Sequence, residues 1–268
     1  MNAYKIEAGT AQHIGDRSEQ QDRVALFTAP KAPGYVMAVL ADGMGGLSGG
    51  AMAAEQVLRT ARQAFDLFSP LTDAVPAMLE AIARDAHTVI KLSAYSSEKN
   101  PHSTMVVLVV TPQRQAFWAH VGDSRLYRFY GPNCVERTVD HSYVELLIRH
   151  GDLARKDAAN HPMSNVLVSA LGSHDSEPTI STGHRAELRQ GDAFLICSDG
   201  LWHYFEDVEL GAALAMNSPR QAAELLIAKA RERAAGKNAD NCTLAILKLS
   251  PPDDPKKSYT ASKMRRAI

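Results

Sequence analysis

One stretch of this sequence restricts the fold more than any other, an apolar run that ends abruptly in an Asp-Gly pair. Residues 35–41 (YVMAVLA) have the length and the apolar character of a strand buried on both faces, and Asp42-Gly43 and a glycine-rich turn follow them. A carboxylate at the end of a buried strand is costly to desolvate unless it is paired or binds a cation. Because Asp-Gly after an apolar run is also a common turn signal, this stretch alone fits an ordinary turn.

The same arrangement recurs along the chain. A second apolar run ends at Asp199-Gly200, a third ends at Gly122-Asp123, and a fourth apolar run follows Asp240. Carboxylates are costly to bury without a counter-charge, so their recurrence at strand ends predicts one acidic centre that binds metal ions.

The residue types around this centre predict which ions it binds. Oxygen ligands without a pattern of histidine or cysteine favour Mg²⁺ or Mn²⁺ over Zn²⁺, and the ten histidines have no zinc-site spacing. Two such ions close together acidify a bridging water and hold a phosphoryl group. The remaining phosphate oxygens need a basic partner, and Arg17, five residues before Asp22, is the candidate. Without these neighbours Arg17 would be an ordinary surface arginine.

The composition excludes several classes of function. With 29 Lys and Arg against 30 Asp and Glu, the chain has a net charge of −1 and no basic excess for nucleic acid or a membrane surface. No apolar run approaches the roughly 20 residues of a membrane span. Cys134, Cys197 and Cys242 are too few for a disulfide framework, so we expect reduced thiols and a cytoplasmic protein. No arginine stands six residues after any of them, which excludes a cysteine-dependent phosphatase.

The order of periodic segments predicts an α+β fold with one domain over residues 1–250. Amphipathic helices are expected over residues 48–68 and 75–90, and again from Tyr143 to His150. A capping box with proline at the first helical position predicts another helix start at Ser218. Strands are expected at residues 4–15, 24–28, 35–41, 103–111, 116–121, 126–130, 179–188, 193–197 and 243–249.

Two segments depart from this regular pattern. Short polar pieces at about residues 140–177 predict an irregular insertion over one end of the sheet, of the kind that carries specificity. Residues 251–268 are basic, polar and rich in proline, which predicts a disordered tail.

Six short motifs occur in an order that resembles the bacterial branch of the metal-dependent protein phosphatases (type 2C, or PPM, family). The motifs are RSEQQD, DGMGG, GDSR, DHS, SDGL and DN, at residues 17–22, 42–46, 122–125, 140–142, 198–201 and 240–241. Each motif is weak alone, but six in this order are specific. The resemblance covers roughly residues 6–249.

This resemblance implies a fold, an activity and cofactors. The fold would be a four-layer αββα sandwich, with two mostly antiparallel sheets flanked by antiparallel helix pairs. The activity would be hydrolysis of phosphoserine and phosphothreonine in proteins by a metal-bridging hydroxide, with two tightly bound Mn²⁺ or Mg²⁺ ions and a third, weaker ion. We expect a monomer whose partners are phosphorylated proteins, including a Ser/Thr kinase or its targets, and neither nucleic acid nor a membrane.

The resemblance also implies a set of metal ligands. Asp42 would bridge the two tight ions, and the carbonyl of Gly43 would bind one of them. Asp199 and Asp240 would hold the other ion, and Asp22 would act through a water.

Further roles follow from the same motifs. Arg17 would bind phosphate, and together with Asp42 and Asp199 it would form the catalytic group. Asp123 would help to bind the third ion, whereas the residues alone favour equally an ion pair between Asp123 and Arg125. Asn241 would orient Asp240, and Gln21, in place of a frequent glutamate, would leave the second metal with less charge.

Besides Gln21, three features depart from the family pattern. Met44 stands where many eukaryotic members have a histidine, so another group must act as the general acid. Ser164 and Ser169 stand in a stretch where bacterial relatives often have arginines, which puts the usual phosphopeptide preference in doubt. Trp202-His203 is a bulky, less common pair that follows SDGL near the site, and it fits core packing as well as a role in the site.

Two other functions remain open at the level of the sequence. A non-catalytic regulatory module on the same fold would not need to keep a full set of acidic ligands, so the complete set argues against it. A phosphatase of a sigma-factor regulator cannot be told from one that opposes a Ser/Thr kinase.

Overall fold

The structure, a computed structural model, describes residues 4–46, 49–94, 100–236 and 238–252. Its strands are β1 (Lys5–His13), β2 (Arg23–Ala29), β3 (Ala32–Ala41), β4 (Gly43–Met44), β5 (His102–Ser103), β6 (Met105–Thr111), β7 (Gln115–Val121), β8 (Arg125–Tyr130), β9 (Asn133–Arg137), β10 (Ser181–Arg185), β11 (Asp192–Cys197) and β12 (Cys242–Ser250). Its helices are α1 (Gly49–Leu67), α2 (Val75–Ala94), α3 (Tyr143–His150), α4 (Asp199–Trp202), α5 (Asp207–Met216) and α6 (Pro219–Ala234), with a 3₁₀ helix at Arg155–Asn160.

The strands form two five-stranded sheets and a short ribbon. The first sheet has the order β1-β12-β11-β8-β9, the second has the order β10-β7-β6-β3-β2, and β4 pairs with β5. Every pair of neighbouring strands in them is antiparallel. β1 and β12 pair along their whole length, from Lys5 opposite Ser250 to His13 opposite Cys242.

Three clusters of buried side chains hold the layers together. The alternation of β3 explains why its sequence is apolar on both faces: Ala38 and Leu40 point into the cluster between the two sheets, and Met37 and Val39 point to the outer cluster. Helices α1 and α2 close that outer cluster. Helices α5 and α6 cover the outer face of the first sheet, and their buried side chains form the third cluster with it. The layers therefore follow in the order helix, sheet, sheet, helix, which confirms the four-layer αββα sandwich.

Most of the predicted elements are present, with small differences at their ends. Ser218 caps α6 as predicted: its side chain accepts a hydrogen bond from the main-chain nitrogen of Gln221, whose side chain accepts one from Ser218 in return. The strand predicted over residues 179–188 is shorter, because the chain turns out of the sheet after Arg185 and Glu187 has a positive φ of 57°. The sequence pattern did not predict β9, α4 or α5.

We call residues 140–177 the flap. It contains α3, the 3₁₀ helix and irregular chain. Isolated bridges join Ser142 to Leu167 inside the flap and Leu171 to Ser103 in β5, so the flap is fastened to the ribbon of β4 and β5.

Two expectations concern other parts of the chain. The predicted tail lies outside the described residues from residue 253 onward. None of the helices in the described ranges combines the length and the apolar character needed to cross a lipid bilayer.

Candidate metal centre

The carboxylates predicted from the sequence gather at one end of the sandwich. Asp42 follows β3, Asp199 follows β11, Asp123 comes two residues after β7, and Asp240 precedes β12. All four line one cavity of about 420 Å³. Its other lining residues are Arg17, Ser18, Glu19, Gln21, Gly43, Met44, Asn165, Leu167 and Asn241. The recurrence of strand-end carboxylates therefore identified residues that are close together.

The main chain of Asp42 continues the strand pairing beyond β3. Its N–H donates to the hydroxyl of Thr104 at 3.0 Å, and its carbonyl accepts from the N–H of Thr104 at 2.9 Å. Ser103 donates a further hydroxyl hydrogen bond to the same carbonyl at 3.1 Å. These bonds use the main-chain groups of Asp42 and leave its carboxylate to face the cavity.

Two glycines bring the backbone of α1 against the end of β3. A Cβ added to Gly43 would collide with the carbonyl of Gly50, and one added to Gly50 would approach Gly43 within 2.6 Å. Only glycine allows this approach. The peptide of Gly43 is thereby fixed at the cavity wall.

A third glycine places Asp199 beside Asp240. The backbone of Gly200, in α4, lies against the carbonyl of Asn241 so closely that any Cβ would collide with it. The residues on either side, Asp199 and Asp240, are therefore held at the same edge of the cavity.

Asn241 ties together the loop that carries the first motif. Its side-chain amide donates to the carbonyls of Ile14 at 2.7 Å and Glu19 at 3.1 Å, and its Oδ1 accepts from the N–H of Gln21 at 2.7 Å. Asp240 is contacted by the main-chain N–H of Asn241 at 2.7 Å. The side chain of Asn241 therefore positions residues 14–21, and it reaches Asp240 only through its backbone.

Arg17 is the one basic side chain among the described residues that line the cavity. Its Nη2 lies 2.7 Å from Oδ2 of Asp240, and both side chains are nearly half exposed. The guanidinium therefore stands at the mouth of the cavity as the counter-ion of Asp240.

Asp22 lies behind the cavity wall and is 1% exposed. Its Oδ2 accepts a hydrogen bond from the hydroxyl of Ser198 at 2.7 Å. Its Oδ1 is buried and has no hydrogen-bond partner among the described residues. Because a buried carboxylate oxygen without a partner is costly, this atom suits a water or a cation that the protein does not supply itself.

Burial and mutual repulsion raise the pKa values of four of the buried acids. Burial raises the pKa of Asp22 to about 7, against the hydroxyls of Ser198 and Thr243, which lower it. Burial, followed by the charge of Asp199, raises the pKa of Asp123 to about 8. The pKa of Asp42 is well above its usual range because of burial and the neighbouring carboxylates. Burial also raises the pKa of Asp199, although His203, 3.8 Å away, lowers it.

Arg125 forms its ion pair with Asp140 and not with Asp123, which was the alternative. Arg125 makes two hydrogen bonds to Asp140, from Nε at 2.9 Å and from Nη2 at 2.7 Å. The main-chain carbonyl of Asp123 accepts a hydrogen bond from the indole nitrogen of Trp202 at 3.0 Å. The carboxylate of Asp123 thus faces other acids, with Arg125 already neutralised by Asp140.

The donor set fits hard divalent cations. The side chains of Glu19, Asp42, Asp123, Asp199 and Asp240 supply oxygen donors, and no histidine or cysteine of the described ranges lines the cavity. Within those ranges, no three Asp, Glu, His or Cys side chains converge closely enough to hold one ion alone. The carboxylates instead surround the cavity, which suits ions shared between facing carboxylates and completed by water.

Other residues of the cavity wall were not named as site residues from the sequence. Asn165 and Leu167 of the flap form part of the wall, and Ser18 and Glu19 come from the first motif. The position of Glu19 between Arg17 and Asp22 was the available signal. Asn165 and Leu167 gave no such signal, since only the folding of the flap places them there.

The departures noted in the sequence have different locations. Met44 lines the cavity and has no proton to donate. Ser169 is buried, and its hydroxyl accepts a hydrogen bond from the N–H of Thr179 at 2.8 Å, so it has a structural role in the flap. Ser164 lines a neighbouring groove together with Trp202 and His203.

Comparison with known proteins relates most of the chain to the family that the sequence motifs resemble. Residues 9–221 match the protein phosphatase 2C family. The chain is 30% identical over 249 residues to the serine/threonine phosphatase stp of Listeria innocua, covering 91% of this chain and 94% of that protein.

Two solved structures are similar in fold. The serine/threonine phosphatase of S. agalactiae has a TM-score of 0.83 and 26% identity, covering 92% of this chain and 100% of that one. The catalytic domain of the serine/threonine protein phosphatase PstP in complex with two manganese ions has a TM-score of 0.74 and 24% identity, covering 91% and 98%. At that identity, the likeness to PstP concerns the fold.

Proposed function

The chain belongs to the protein phosphatase 2C family, and from this premise we propose that it is a Mn²⁺- or Mg²⁺-dependent phosphatase of phosphoserine and phosphothreonine in proteins. One observation carries the proposal: several carboxylates surround a single cavity, and a buried oxygen of Asp22 has no partner in the described residues. A phosphate ester is an anion, so an acidic cavity admits it only when cations offset the acids.

We assign the ligand roles to residues that line the cavity or lie behind it. Asp42 and the carbonyl of Gly43 would hold one ion, and Asp199 and Asp240, with Asp42, would hold the other. Asp22 would act through a water, for which its unpartnered Oδ1 is suited. Ions bound here would lower the pKa of a water and draw negative charge from the phosphoryl oxygens.

Arg17 has two positions in this proposal. In this structure it is the counter-ion of Asp240, at 2.7 Å. If Asp240 held a divalent cation, Arg17 would no longer be needed as its counter-ion and would be available at the cavity mouth. The freed guanidinium would then bind two oxygens of the substrate phosphate.

Asp123 is assigned to a third, more weakly held ion together with Asp199. The support is local: the Asp123 carboxylate is buried beside Asp199, and Arg125 is engaged by Asp140. Gln21 and Asn241 hold the loop of the first motif, since the N–H of Gln21 donates to Asn241.

The physiological partners belong to the same proposal. We assign the protein to the removal of phosphate that a Ser/Thr kinase has added, with the kinase or its targets as substrates, in the cytoplasm. A sigma-factor regulator remains a second substrate class, and a phosphoproteome of a deletion strain would separate the two. The acidic ligands disfavour a non-catalytic module, because burying them is costly without metal ions.

The direct test measures hydrolysis of p-nitrophenyl phosphate and of phosphothreonine peptides. We expect activity with Mn²⁺ or Mg²⁺ and its loss in excess EDTA. Thiol alkylation should leave the activity unchanged, because Cys197 and Cys242 are buried and burial raises the pKa of both thiols. Full activity in EDTA would exclude the proposed mechanism.

A further inference from the structure

Trp202 joins two of the elements that carry the acids of the cavity. It is the last residue of α4, the short helix that begins at Asp199. Its indole N–H donates to the main-chain carbonyl of Asp123 at 3.0 Å. One side chain therefore connects the helix of Asp199 with the turn of Asp123.

Two side chains pack against the indole ring. The guanidinium carbon of Arg125 lies 3.4 Å from the centroid of the ring, and the ring of His203 lies 3.9 Å away between centroids. Arg125 is itself held by its two hydrogen bonds to Asp140 and by one to the hydroxyl of Tyr127 at 3.2 Å. The donor N–H of Trp202 is therefore held in one direction by its surroundings.

Hydrogen bonds to other neighbours also hold the turn that carries Asp123. The N–H of Gly122 donates to Nδ1 of His141 at 3.2 Å, and the hydroxyls of Thr104 and Ser124 share a hydrogen bond of 2.7 Å. The pairing of Arg125 with Cys197 already brings this turn close to the start of α4, and Trp202 adds a side-chain hydrogen bond between the turn and α4. When Asp123 and Asp199 are both ionised they repel each other, so this added hydrogen bond opposes their separation.

We propose that Trp202 is a positioning residue that holds Asp123 beside Asp199 and thereby sets the affinity of the third, weakly bound cation. This rests on the proposed function. Trp202 contacts neither substrate nor metal in this role. It acts through the carbonyl of Asp123, and the two tightly held ions do not depend on it.

The first test replaces Trp202 by Phe, which keeps an aromatic ring for Arg125 and removes the N–H donor. We expect the Mn²⁺ concentration for half-maximal kcat to rise roughly 10-fold, as for other groups that orient a ligand. The KM for a phosphothreonine peptide should change less than about 2-fold, because Arg17 and the tight ions are untouched. Calorimetry should show tight Mn²⁺ binding with wild-type stoichiometry.

The chain offers a matched control, because Trp118 is its other tryptophan. Trp118 is 5% exposed in the core between the two sheets and does not line the cavity. Trp118→Phe should therefore keep the wild-type dependence on Mn²⁺. It also makes Trp202 the sole tryptophan, whose emission should change late in a Mn²⁺ titration, after the tight sites are filled. Adding Asp123→Asn should remove that late phase.

A double-mutant cycle completes the design. In the Asp123→Asn background, Trp202→Phe should cause no further shift in the Mn²⁺ dependence, because its effect passes through Asp123. If Trp202→Phe does not fold, Trp202→Tyr takes its place in every arm, because it also lacks the indole donor.

The outcomes separate this inference from the function it rests on. A wild-type Mn²⁺ dependence in Trp202→Phe, or a loss of tight Mn²⁺ binding in it, would overturn the positioning role. An equal shift in the Asp123→Asn background would also overturn it. A wild-type protein that binds no Mn²⁺ and hydrolyses no phosphopeptide would instead overturn the proposed function.

Discussion

Two buried aspartates in this molecule have opposite surroundings. Asp22 is 1% exposed and Asp192 is 0% exposed, and each stands at or next to the start of a strand. Asp192 accepts hydrogen bonds from Nε of Arg128 at 3.0 Å and from the N–H of Arg189 at 2.6 Å, and Nη2 of Arg128 is 2.8 Å away. Asp22 has the hydroxyl of Ser198 on one oxygen and no described partner on the other.

The difference shows how to distinguish a structural acid from a functional one. The charge of Asp192 is balanced inside the protein, so that site is complete as folded. Asp22 and the acids of the cavity have too little positive charge near them, since Arg17 is the only base among the described lining residues. In the metal-free protein bound protons reduce their charge, as the raised pKa values of Asp22 and Asp123 indicate, and under the proposed function cations would take the place of these protons. Four predictions test this comparison.

The largest effect is expected on turnover. Asp42→Asn or Asp240→Asn should lower kcat by at least about 10³-fold, because each removes a charge that holds the cations stabilising the transition state. Steady-state hydrolysis of a phosphothreonine peptide measures this. Asp85→Asn, at an exposed acid on α2, is the control and should keep wild-type activity. Near wild-type turnover in Asp42→Asn would place the metal centre elsewhere.

The second effect is on stability, and it should have opposite signs in the two regions. Asp192→Asn should lower the free energy of unfolding by about 3–5 kcal/mol, because Arg128 would be left buried without its partner. Asp22→Asn should raise the stability of the metal-free protein, because it removes a desolvated charge near other carboxylates. Urea unfolding in EDTA measures both. Equal destabilisation by the two changes would contradict the distinction.

The third effect concerns the single base of the cavity. Arg17→Ala should lower kcat/KM by roughly 10- to 100-fold, since charge-assisted contacts to phosphate are lost, and KM should rise at least as clearly as kcat falls. Mn²⁺ binding should be retained or tightened, because the guanidinium would no longer compete for Asp240. Unchanged kinetics would mean that Arg17 forms only its surface ion pair with Asp240 and does not bind phosphate.

The smallest effect is a dependence of stability on pH. Asp22 and Asp123, with pKa values of about 7 and about 8, bind protons more tightly when folded than when unfolded. The metal-free protein should therefore lose stability as the pH rises from about 4, the ordinary pKa of a carboxyl group, to about 8. Below about pH 6.5 the buried His141, whose pKa is lowered to about 4 by burial, partly offsets this loss. Calorimetric melting in EDTA measures the slope, and Asp22→Asn should flatten it, whereas a slope unchanged in that variant would contradict the assignment.

Much of the fold followed from local sequence patterns, and the exceptions have physical reasons. Strand β3 was predictable because both of its faces are buried, and α6 because Ser218 caps it. Strand β9 is a short edge strand with polar residues and gives no clear alternation. Helix α5 has apolar residues on all sides, so no single face identifies it.

The site was predictable in its residue types and less so in its contacts. Asp-Gly and Gly-Asp at strand ends identified the carboxylates, because burying them without a counter-charge is costly. The pairing of Arg125 with Asp140 and the hydrogen bond from Trp202 to Asp123 join residues far apart in the sequence. Nearest neighbours suggested Arg125 for Asp123 instead, since spacing along the chain does not show where a long side chain points.

The pairing of β1 with β12 has a consequence for when this protein becomes active during its synthesis. Arg17 and Asp22 follow β1, which is made early, and Asp240 comes two residues before β12. Asn241, which ties residues 14–21 in place, is made equally late. A chain still on the ribosome without residues 240–250 therefore lacks both Asp240, which we propose as a metal ligand, and the hydrogen bonds that hold the first motif. We expect no hydrolysis of phosphoproteins by such nascent chains, so activity should begin only when the last strand is released.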